Sequence, residues 1–362
     1  MKNLIDIYVN FLISSFGKIE MTKLSEILDG LYSHDVFTKM LLNYNQNIDV
    51  DKELWFRVKA MIRKYENEKD GCILIDDSVL HKPYTKENDI VAWHYDHSSG
   101  KCVKGICMLN FHYTNAEGIS IPLEYEIISK TEEYFDEKTG KTKRKSKFTK
   151  NEILREKLLL LQFTNQIKYR YILMDSWFPS AENMEFIEKI LNKKFISPLK
   201  FNRDIALSLK DKREGKYVKI ASIDMESSSS RLVYVRGYSK PLKLTKQVSK
   251  DGNDGELTCL YLITNDINLN PEQILEIYQR RWKVEEYHKS LKQNLKIEHS
   301  PTKVESSQKI HIFLSVCGFI ELEKLRLNYN INQFAIKQKI YIEALKASFA
   351  KVQELQKEIM VA

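Results

Sequence analysis

The pattern of apolar and polar positions divides the chain into regions of different predicted structure. Residues 1–70 place apolar side chains at helical spacing and contain few Gly or Pro, which predicts an N-terminal helical region. Beyond them lie short apolar runs typical of strands, a hairpin turn at Asn115–Gly118 and a helical pattern over 150–166. After Asn270 the pattern is helical nearly to the last residue. The predicted strands cover 72–75, 105–113, 119–128, 171–174, 195–199, 216–220, 232–235 and 260–264. These elements predict an α/β protein.

Two of the predicted strands are followed directly by aspartate. Cys72–Ile75 precedes Asp76, and Tyr171–Met174 precedes Asp175. Short runs of aliphatic residues read as buried strands, and α/β sheets commonly place ligand sites at the carboxyl ends of such strands. We therefore expect these two carboxylates to lie at one site.

A third carboxylate lies on the predicted helix after Asn270. That residue suits the N-cap, and Pro271 suits the first helical position. A helical rotation of about 100° per residue over 278–292 puts Tyr278, Arg281, Glu285 and Lys292 within an arc of roughly 60°. Such a narrow stripe predicts a surface that binds anions beside a metal ligand.

Three carboxylates from two strands and a helix can hold two divalent ions for phosphoryl transfer. Magnesium is the expected occupant because it is hard and prefers oxygen ligands, and Mn²⁺ can substitute for it. Asp77 competes with Asp76, since adjacent side chains on a strand point to opposite faces. Glu286 competes with Glu285 but lies about 100° away around the helix.

These residues resemble the bacterial insertion-sequence transposases of the DDE type, in the subgroup with the Y-x2-R-x3-E-x6-K signature. Tyr278, Arg281, Glu285 and Lys292 match that signature at every spacing. Weaker similarities are the D-x-S motif at Asp76–Ser78, the hydrophobic-D-x-x-F motif ending at Phe178, and a Lys-x-Asn-Arg segment at Lys200–Arg203. Together these matches cover roughly residues 30–325.

The resemblance implies an RNase H-like mixed sheet flanked by helices, with a β-rich insertion before the last catalytic helix. The pattern of the chain, combined with this resemblance, predicts 1–70 for an N-terminal helical region that could bind DNA, 71–178 for the first part of the core, 179–268 for the insertion, and 269–362 for the catalytic and C-terminal helices. It also implies that Asp76, Asp175 and Glu285 are catalytic and metal-binding. Double-stranded DNA, as terminal inverted repeats and as target, is the expected partner, and a homodimer is expected in the DNA complex.

Charge and composition agree with a polyanionic partner. The chain has 57 Lys and Arg against 49 Asp and Glu, a net charge of +8. A basic run over 138–150 is either a solvated loop or a phosphate-binding segment. The absence of a long apolar segment or a signal-peptide pattern predicts a cytoplasmic protein that has no membrane contact and joins the nucleoid when bound to DNA. The residues that we expect to contact DNA are Tyr278, Arg281, Lys292, Trp282, Lys200, Asn202, Arg203, Lys143, Arg144 and Lys145.

Two other functions remain open at this stage. An RNase H-like nuclease without strand transfer would use the same carboxylates, and only the cations beside Glu285 argue against it. A domesticated, non-catalytic DNA-binding protein would have no need to keep all three acids. The sequence therefore favours a transposase over both.

Overall fold

The computed structural model describes residues 2–43, 49–96, 100–137, 139–250 and 257–361. The chain divides into two compact units. The first comprises residues 1–58, 80–106 and 286–362, and the second comprises residues 59–79 and 107–285. The prediction of a mixed α/β protein with N-terminal helices is confirmed. The RNase H-like assignment and the four-part division remain predictions.

The first unit is mainly helical. One strand pair belongs to it, in which β2 (Ala92–Asp96) runs antiparallel to the first part of β3 (Lys101–Thr114). Its centre is α10, most of whose side chains are buried and which packs against α1, α3 and α11. Its helices are α1 (Lys2–Ser14), α2 (Met21–Ile27), α3 (His34–Asn43), the first part of α4 (Val50–Tyr65), most of α9 (Trp282–Gln293), α10 (Glu305–Tyr329) and α11 (Gln333–Val361).

The second unit contains a large mixed sheet. Its strand order is β10-β9-β11-β12-β13-β8-β7-β1-β3, and β4 also pairs with β3. The neighbouring strands β8, β7 and β1 run parallel to one another. The pairings from β10 through β13 to β8, and that of β4 with β3, are antiparallel. The strands not yet bounded are β1 (Cys72–His81), β4 (Ile121–Ile127), β7 (Tyr171–Met174), β8 (Lys194–Pro198), β9 (Asp204–Ala206), β10 (Val218–Lys219), β11 (Ser229–Val235), β12 (Leu242–Lys250) and β13 (Leu257–Thr264).

Helices of this unit begin with strong capping signals. Thr149 and Glu152 form a capping box at the start of α5 (Lys150–Leu159). Asn270 and Gln273 do the same for α8 (Pro271–Gln279), with Pro271 in the first turn, so the predicted helix start is confirmed. The unit also contains α6 (Ala181–Lys189), α7 (Leu209–Arg213), a π-helical turn at Leu160–Thr164, a 3-10 turn at Ile220–Ser222, and a separate hairpin of β5 (Glu132–Asp136) and β6 (Lys141–Lys145).

A close backbone approach fixes the start of β1. The carbonyl of Gly71 accepts a hydrogen bond from the Tyr171 amide at 3.1 Å, at the start of β7. A Cβ on Gly71 would lie 2.4 Å from the carbonyl oxygen of Asn67 and 2.5 Å from the hydroxyl of Tyr113. Only glycine fits this position, because real Cβ atoms do not approach backbone oxygen so closely. The glycine thus helps to align the two strands that carry the predicted aspartates.

Candidate active site

The two predicted aspartates follow the parallel pairing of β1 and β7. Cys72 lies opposite Tyr171, and the register continues to Ile75 opposite Met174. Asp76 and Asp175 are the next residues on the two segments. Asp175 directly follows its strand, as predicted. The prediction that the other strand ends before Asp76 is wrong, because β1 continues to His81.

The stretch that carries the third acid is not one helix, so the predicted continuous stripe is wrong. α8 ends at Gln279 and α9 begins at Trp282. Between them the Arg281 amide donates to the Tyr278 carbonyl at 2.9 Å, a three-residue spacing that tightens the turn. Arg280 is held in this turn by a 2.9 Å hydrogen bond from its guanidinium to the Asp70 carbonyl. That contact is long-range, so the helical period of the sequence cannot reveal it.

Arg281 nevertheless contacts two of the predicted acids. Its guanidinium donates to the Glu285 carboxylate at 2.5 Å. The same group lies 3.9 Å from the carboxylate of Asp76. The Arg281 and Asp76 side chains are each 16% exposed, whereas that of Glu285 is 45% exposed. A largely buried cation therefore contacts one largely buried and one more accessible carboxylate.

Burial raises the pKa of Asp76 to about 7. Arg281 opposes this shift, and the negative charges of Asp77, Asp175 and Glu285 add to it. The charges of Asp175 and Glu285 therefore act on Asp76. A further positive charge close to such a carboxyl group would stabilise its ionised form.

Tyr278 and Arg281 are coupled to the same acids. Burial raises the pKa of Tyr278 to about 12; Arg281 lowers it, and Asp175 and Asp76 add to the rise. Burial opposes the charged form of Arg281, but Tyr278, Asp76 and Glu285 together raise its pKa above the usual range. The guanidinium lies 5.7 Å from the centre of the Tyr278 ring. Tyr278 is 7% exposed, so the aromatic body of this residue is packed inside the unit.

Asp77 has a different set of contacts from its neighbour Asp76. Its carboxylate forms an ion pair with Lys150 at the start of α5. The thiol of Cys107 on β3 lies 3.6 Å from the same carboxylate oxygen. Asp77 is thus tied to α5 and β3, whereas Asp76 is tied to Arg281. Sequence reasoning did not single out Lys150 as a partner, and no local spacing connects it with Asp77.

The donor set has the chemistry of a magnesium site, since Asp76, Asp175 and Glu285 supply hard carboxylate oxygens. The raised pKa of Asp76 fits a position that a nearby cation would stabilise. Among the described residues, however, no group of three or more His, Cys, Asp or Glu side chains is gathered closely enough to hold a metal ion. Glu285 is instead engaged by Arg281. The residue types fit the ion, and binding would require these side chains to rearrange.

The other predicted DNA contacts lie in several environments. Lys292, in the first unit, lies 3.6 Å from the carboxylate of Glu298. Trp282 is 64% exposed. The ammonium of Lys200 lies 3.8 Å from the ring centre of Trp177, and the next three residues, including Asn202 and Arg203, are exposed. Trp177 is two residues after Asp175 in the sequence, and its contact with Lys200 was not predicted.

Lys138 of the basic run lies outside the described residues, and part of the rest forms a strand rather than a loop, while the phosphate-binding alternative stays a prediction. Lys143, Arg144 and Lys145 lie on β6 of the small hairpin. Lys143 forms an ion pair with Asp136, Arg144 lies 3.3 Å from Glu133, and Lys145 lies 3.6 Å from Glu132. The acids of β5 therefore offset much of this positive charge. Pairing across strands connects residues about ten positions apart, which a count of local charge does not show.

Comparison with known proteins supports a DNA-processing function. A family model described as the transposase DDE domain matches residues 142–318. No curated protein matches the chain. The matched segment includes Asp175 and the whole stretch from Tyr278 to Lys292, and it begins after Asp76. None of the helices within the described ranges has the length and apolar character needed to cross a membrane. The chain thus contains a segment similar to the transposase DDE domain, which implies transposase activity and DNA binding.

Proposed function

We propose that this protein is an insertion-sequence transposase with an RNase H-like core, which cleaves transposon ends and joins them to DNA. The observation that carries the proposal is the contact of Arg281 with both Asp76 and Glu285, inside a unit where Asp175 follows the strand paired with β1. The signature spacing and the similarity of residues 142–318 to the transposase DDE domain support the same function.

Asp76, Asp175 and Glu285 are the proposed metal ligands. Two magnesium ions, or manganese in their place, would activate the attacking oxygen and stabilise the leaving oxygen of a phosphodiester. In the first reaction water attacks the phosphodiester at the transposon end, which breaks one P–O bond and frees a 3′-hydroxyl. In the second that hydroxyl attacks another phosphodiester, on the opposite strand or on target DNA, and displaces an alkoxide.

Arg281 has two roles in this proposal. In the DNA-free protein its guanidinium neutralises Glu285 and offsets the negative charge on Asp76. Its remaining N–H groups can bind the phosphate beside the cleaved bond, since a planar guanidinium suits phosphate oxygens. Tyr278 would help to orient the guanidinium, because its ring lies beside it. Lys292 would bind a further phosphate as a point charge.

The remaining predicted contacts fit a duplex that extends beyond the cleaved bond. Trp282 and the exposed segment at Lys200, Asn202 and Arg203 are proposed to contact the DNA, and Trp177 offers an aromatic face beside Lys200. Lys143, Arg144 and Lys145 are proposed to bind phosphates by exchanging their acidic partners on β5 for DNA. The protein would act on DNA at the bacterial nucleoid, as a homodimer that holds two transposon ends.

Cleavage of the DNA that flanks the gene tests this proposal. The purified chain is incubated with Mg²⁺ and a labelled duplex that carries any inverted repeats beside the reading frame. A transposase yields a discrete cut at the repeat end, a free 3′-hydroxyl and then a joined product. Cuts without joining would support a nuclease instead, and specific binding without cuts in either Mg²⁺ or Mn²⁺ would support a non-catalytic DNA-binding protein.

A further inference from the structure

α11 is anchored at its beginning and exposed along the rest of its length. Ile336 and Lys337 are buried in the first unit, and the Lys337 ammonium donates to the carbonyl of Ser15 at 2.8 Å. The Tyr341 ring lies 4.7 Å from the Phe16 ring. Every side chain described from Tyr341 to Ile359 is exposed. About five helical turns therefore extend beyond the part of α11 that packs within its unit.

This exposed part carries an apolar stripe. Ile342, Leu345, Phe349 and Val352 follow one another at spacings of three, four and three, and Ile359 lies one heptad after Val352. Their exposed fractions are 41%, 44%, 67%, 51% and 77%. Alternating steps of three and four are the spacing of the a and d positions of a coiled coil. We call these five residues the α11 seam.

The side chains beside the seam widen the same surface. The four seam residues from Ile342 to Val352 form an open apolar patch together with Lys346 and Ser348. Those two residues occupy the e and g positions, which flank a coiled-coil interface. Leu355 is at the next g position and is 46% exposed. The patch thus coincides with the face that one helix of a two-stranded coiled coil presents to the other.

An isolated helix of this length is marginal in water, and an amphipathic helix is normally stabilised by packing of its apolar face. Contiguous exposed apolar surface of this kind marks an interaction site. Residues 341–361 contain Glu343, Glu354 and Glu358 against Lys346, Lys351 and Lys357, so three acids balance three bases. A DNA partner does not fit a surface with an apolar stripe and no net charge.

A second copy of the same helix does fit. Two copies of this segment do not repel each other by net charge, although the whole chain carries +8. Lys346 pairs with Glu343 and Lys351 with Glu354 within the helix, each at 2.8 Å. Gln356 occupies the one polar a position of the segment. In a parallel pair it would face its own copy, where an amide can both donate and accept a hydrogen bond.

We propose that residues 342–359 of α11 form a parallel two-stranded coiled coil with the same helix of a second copy of this chain. The two seams are self-complementary under a two-fold axis, as a closed dimer requires. The segment contains only about two and a half heptads, so the dimer should form in a concentration-dependent manner. The proposal involves no DNA and no metal, so it stands or fails independently of the transposase assignment.

The test is the oligomeric state of the full chain in the absence of DNA, measured by sedimentation equilibrium over a wide concentration range. One variant carries Leu345→Lys and Phe349→Lys in the seam. Its matched control carries Ala347→Lys and Ala350→Lys, which add the same charge on the outer face of the same helix. Circular dichroism of each variant checks that the fold is retained.

We expect the wild type and the control to dimerise. The seam variant should associate at least about a hundredfold more weakly, because its dimer would bury the unpaired charges of the introduced lysines. A wild-type chain that stays monomeric throughout, or a seam variant that dimerises as well as the control, would overturn the proposal.

Gln356→Cys tests the orientation of the two helices. It should form a disulfide-linked dimer above the background set by the exposed Cys102 and Cys259, whereas Ala347→Cys should not. The reverse result would exclude the parallel arrangement.

Discussion

Asp76 and Asp77 are neighbours on one strand with the same functional group, yet they lie in different environments. Asp77 is paired with Lys150 and contacts Cys107. Asp76 is 3.9 Å from Arg281, which has a much shorter contact with Glu285, and burial raises the pKa of Asp76 to about 7. The difference indicates that Asp77 stabilises the fold, whereas Asp76 belongs to a group of acids that can accept another cation.

The largest expected effect concerns Glu285, the other acid that Arg281 contacts. Glu285→Gln removes a proposed metal ligand at almost constant volume. It should lower cleavage of transposon ends by roughly a thousandfold or more, since metal-assisted catalysis supplies several kcal/mol of transition-state stabilisation. Binding of the ends, measured by gel shift, should be kept. The control is Glu286→Gln, because Glu286 is exposed on the same helix. Equal activity of the two variants would remove Glu285 from the mechanism.

The next effect concerns stability. Lys150→Met leaves the Asp77 carboxylate without its ion-pair partner, and loss of one member of a buried pair is strongly destabilising. The Lys150 side chain is 38% exposed, so solvent reduces the cost to about 1–3 kcal/mol of unfolding free energy. Urea denaturation measures it, with Lys147→Met as control. Adding Asp77→Asn should recover part of the loss. A Lys150→Met variant that keeps its stability but loses cleavage would place Lys150 in the chemistry instead.

The pH dependence of stability distinguishes Asp76 further. Its pKa is about 7 in the folded protein against an ordinary value of 3.8, so between these values the folded state holds a proton that the unfolded state has lost. Stability should therefore fall as pH rises through this window, by at most about 1.4 kcal/mol per pH unit. Urea denaturation of chelator-treated protein at pH 5, 6 and 7 measures the slope. Asp76→Asn should make it shallower, and identical slopes would show that Asp76 is not shifted.

The smallest expected effect is on DNA binding and concerns two lysines with similar ion pairs. Lys292 and Lys309 both form ion pairs in the first unit, with Glu298 at 3.6 Å and with Glu305 at 2.7 Å, and their side chains are 36% and 35% exposed. Lys292→Ala should reduce the log–log salt slope of DNA binding by about one unit, because it removes the phosphate contact proposed for this residue. Lys309→Ala should leave the slope unchanged. If both variants behave alike, the position of Lys292 in the signature has no special role in binding.

The sequence predicted most elements of the fold because their signals are local. The apolar run before Asp175, the turn ending at Gly118 and the N-cap at Asn270 all appear in the structure as predicted. β12 was not predicted, because Lys246 interrupts the alternation of apolar residues that Leu242 and Leu244 begin. The parallel pairing of β8 with β7 was not predicted either, because strand neighbours are set by tertiary contacts that a local pattern does not contain.

The candidate site was predicted less completely for the same reason. Spacing identified Arg281 and Glu285, which are in contact. It did not show the turn between α8 and α9, where Arg280 is held by the distant Asp70. Nor could it pair Asp77 with Lys150, which is 73 residues away. The alternation of side chains along a strand separated Asp76 from Asp77, but only long-range contacts show what each carboxylate meets.

The most direct test of the account is therefore a comparison of Asp76→Asn with Asp77→Asn in the same assay of transposon-end cleavage. Both substitutions replace one carboxylate oxygen with an amide nitrogen on the same strand. We predict that Asp76→Asn abolishes cleavage while the protein remains folded and bound to DNA. Asp77→Asn should lower thermal stability and leave cleavage within a few fold of wild type. Loss of cleavage in Asp77→Asn, with an active Asp76→Asn, would contradict the assignment of the two residues.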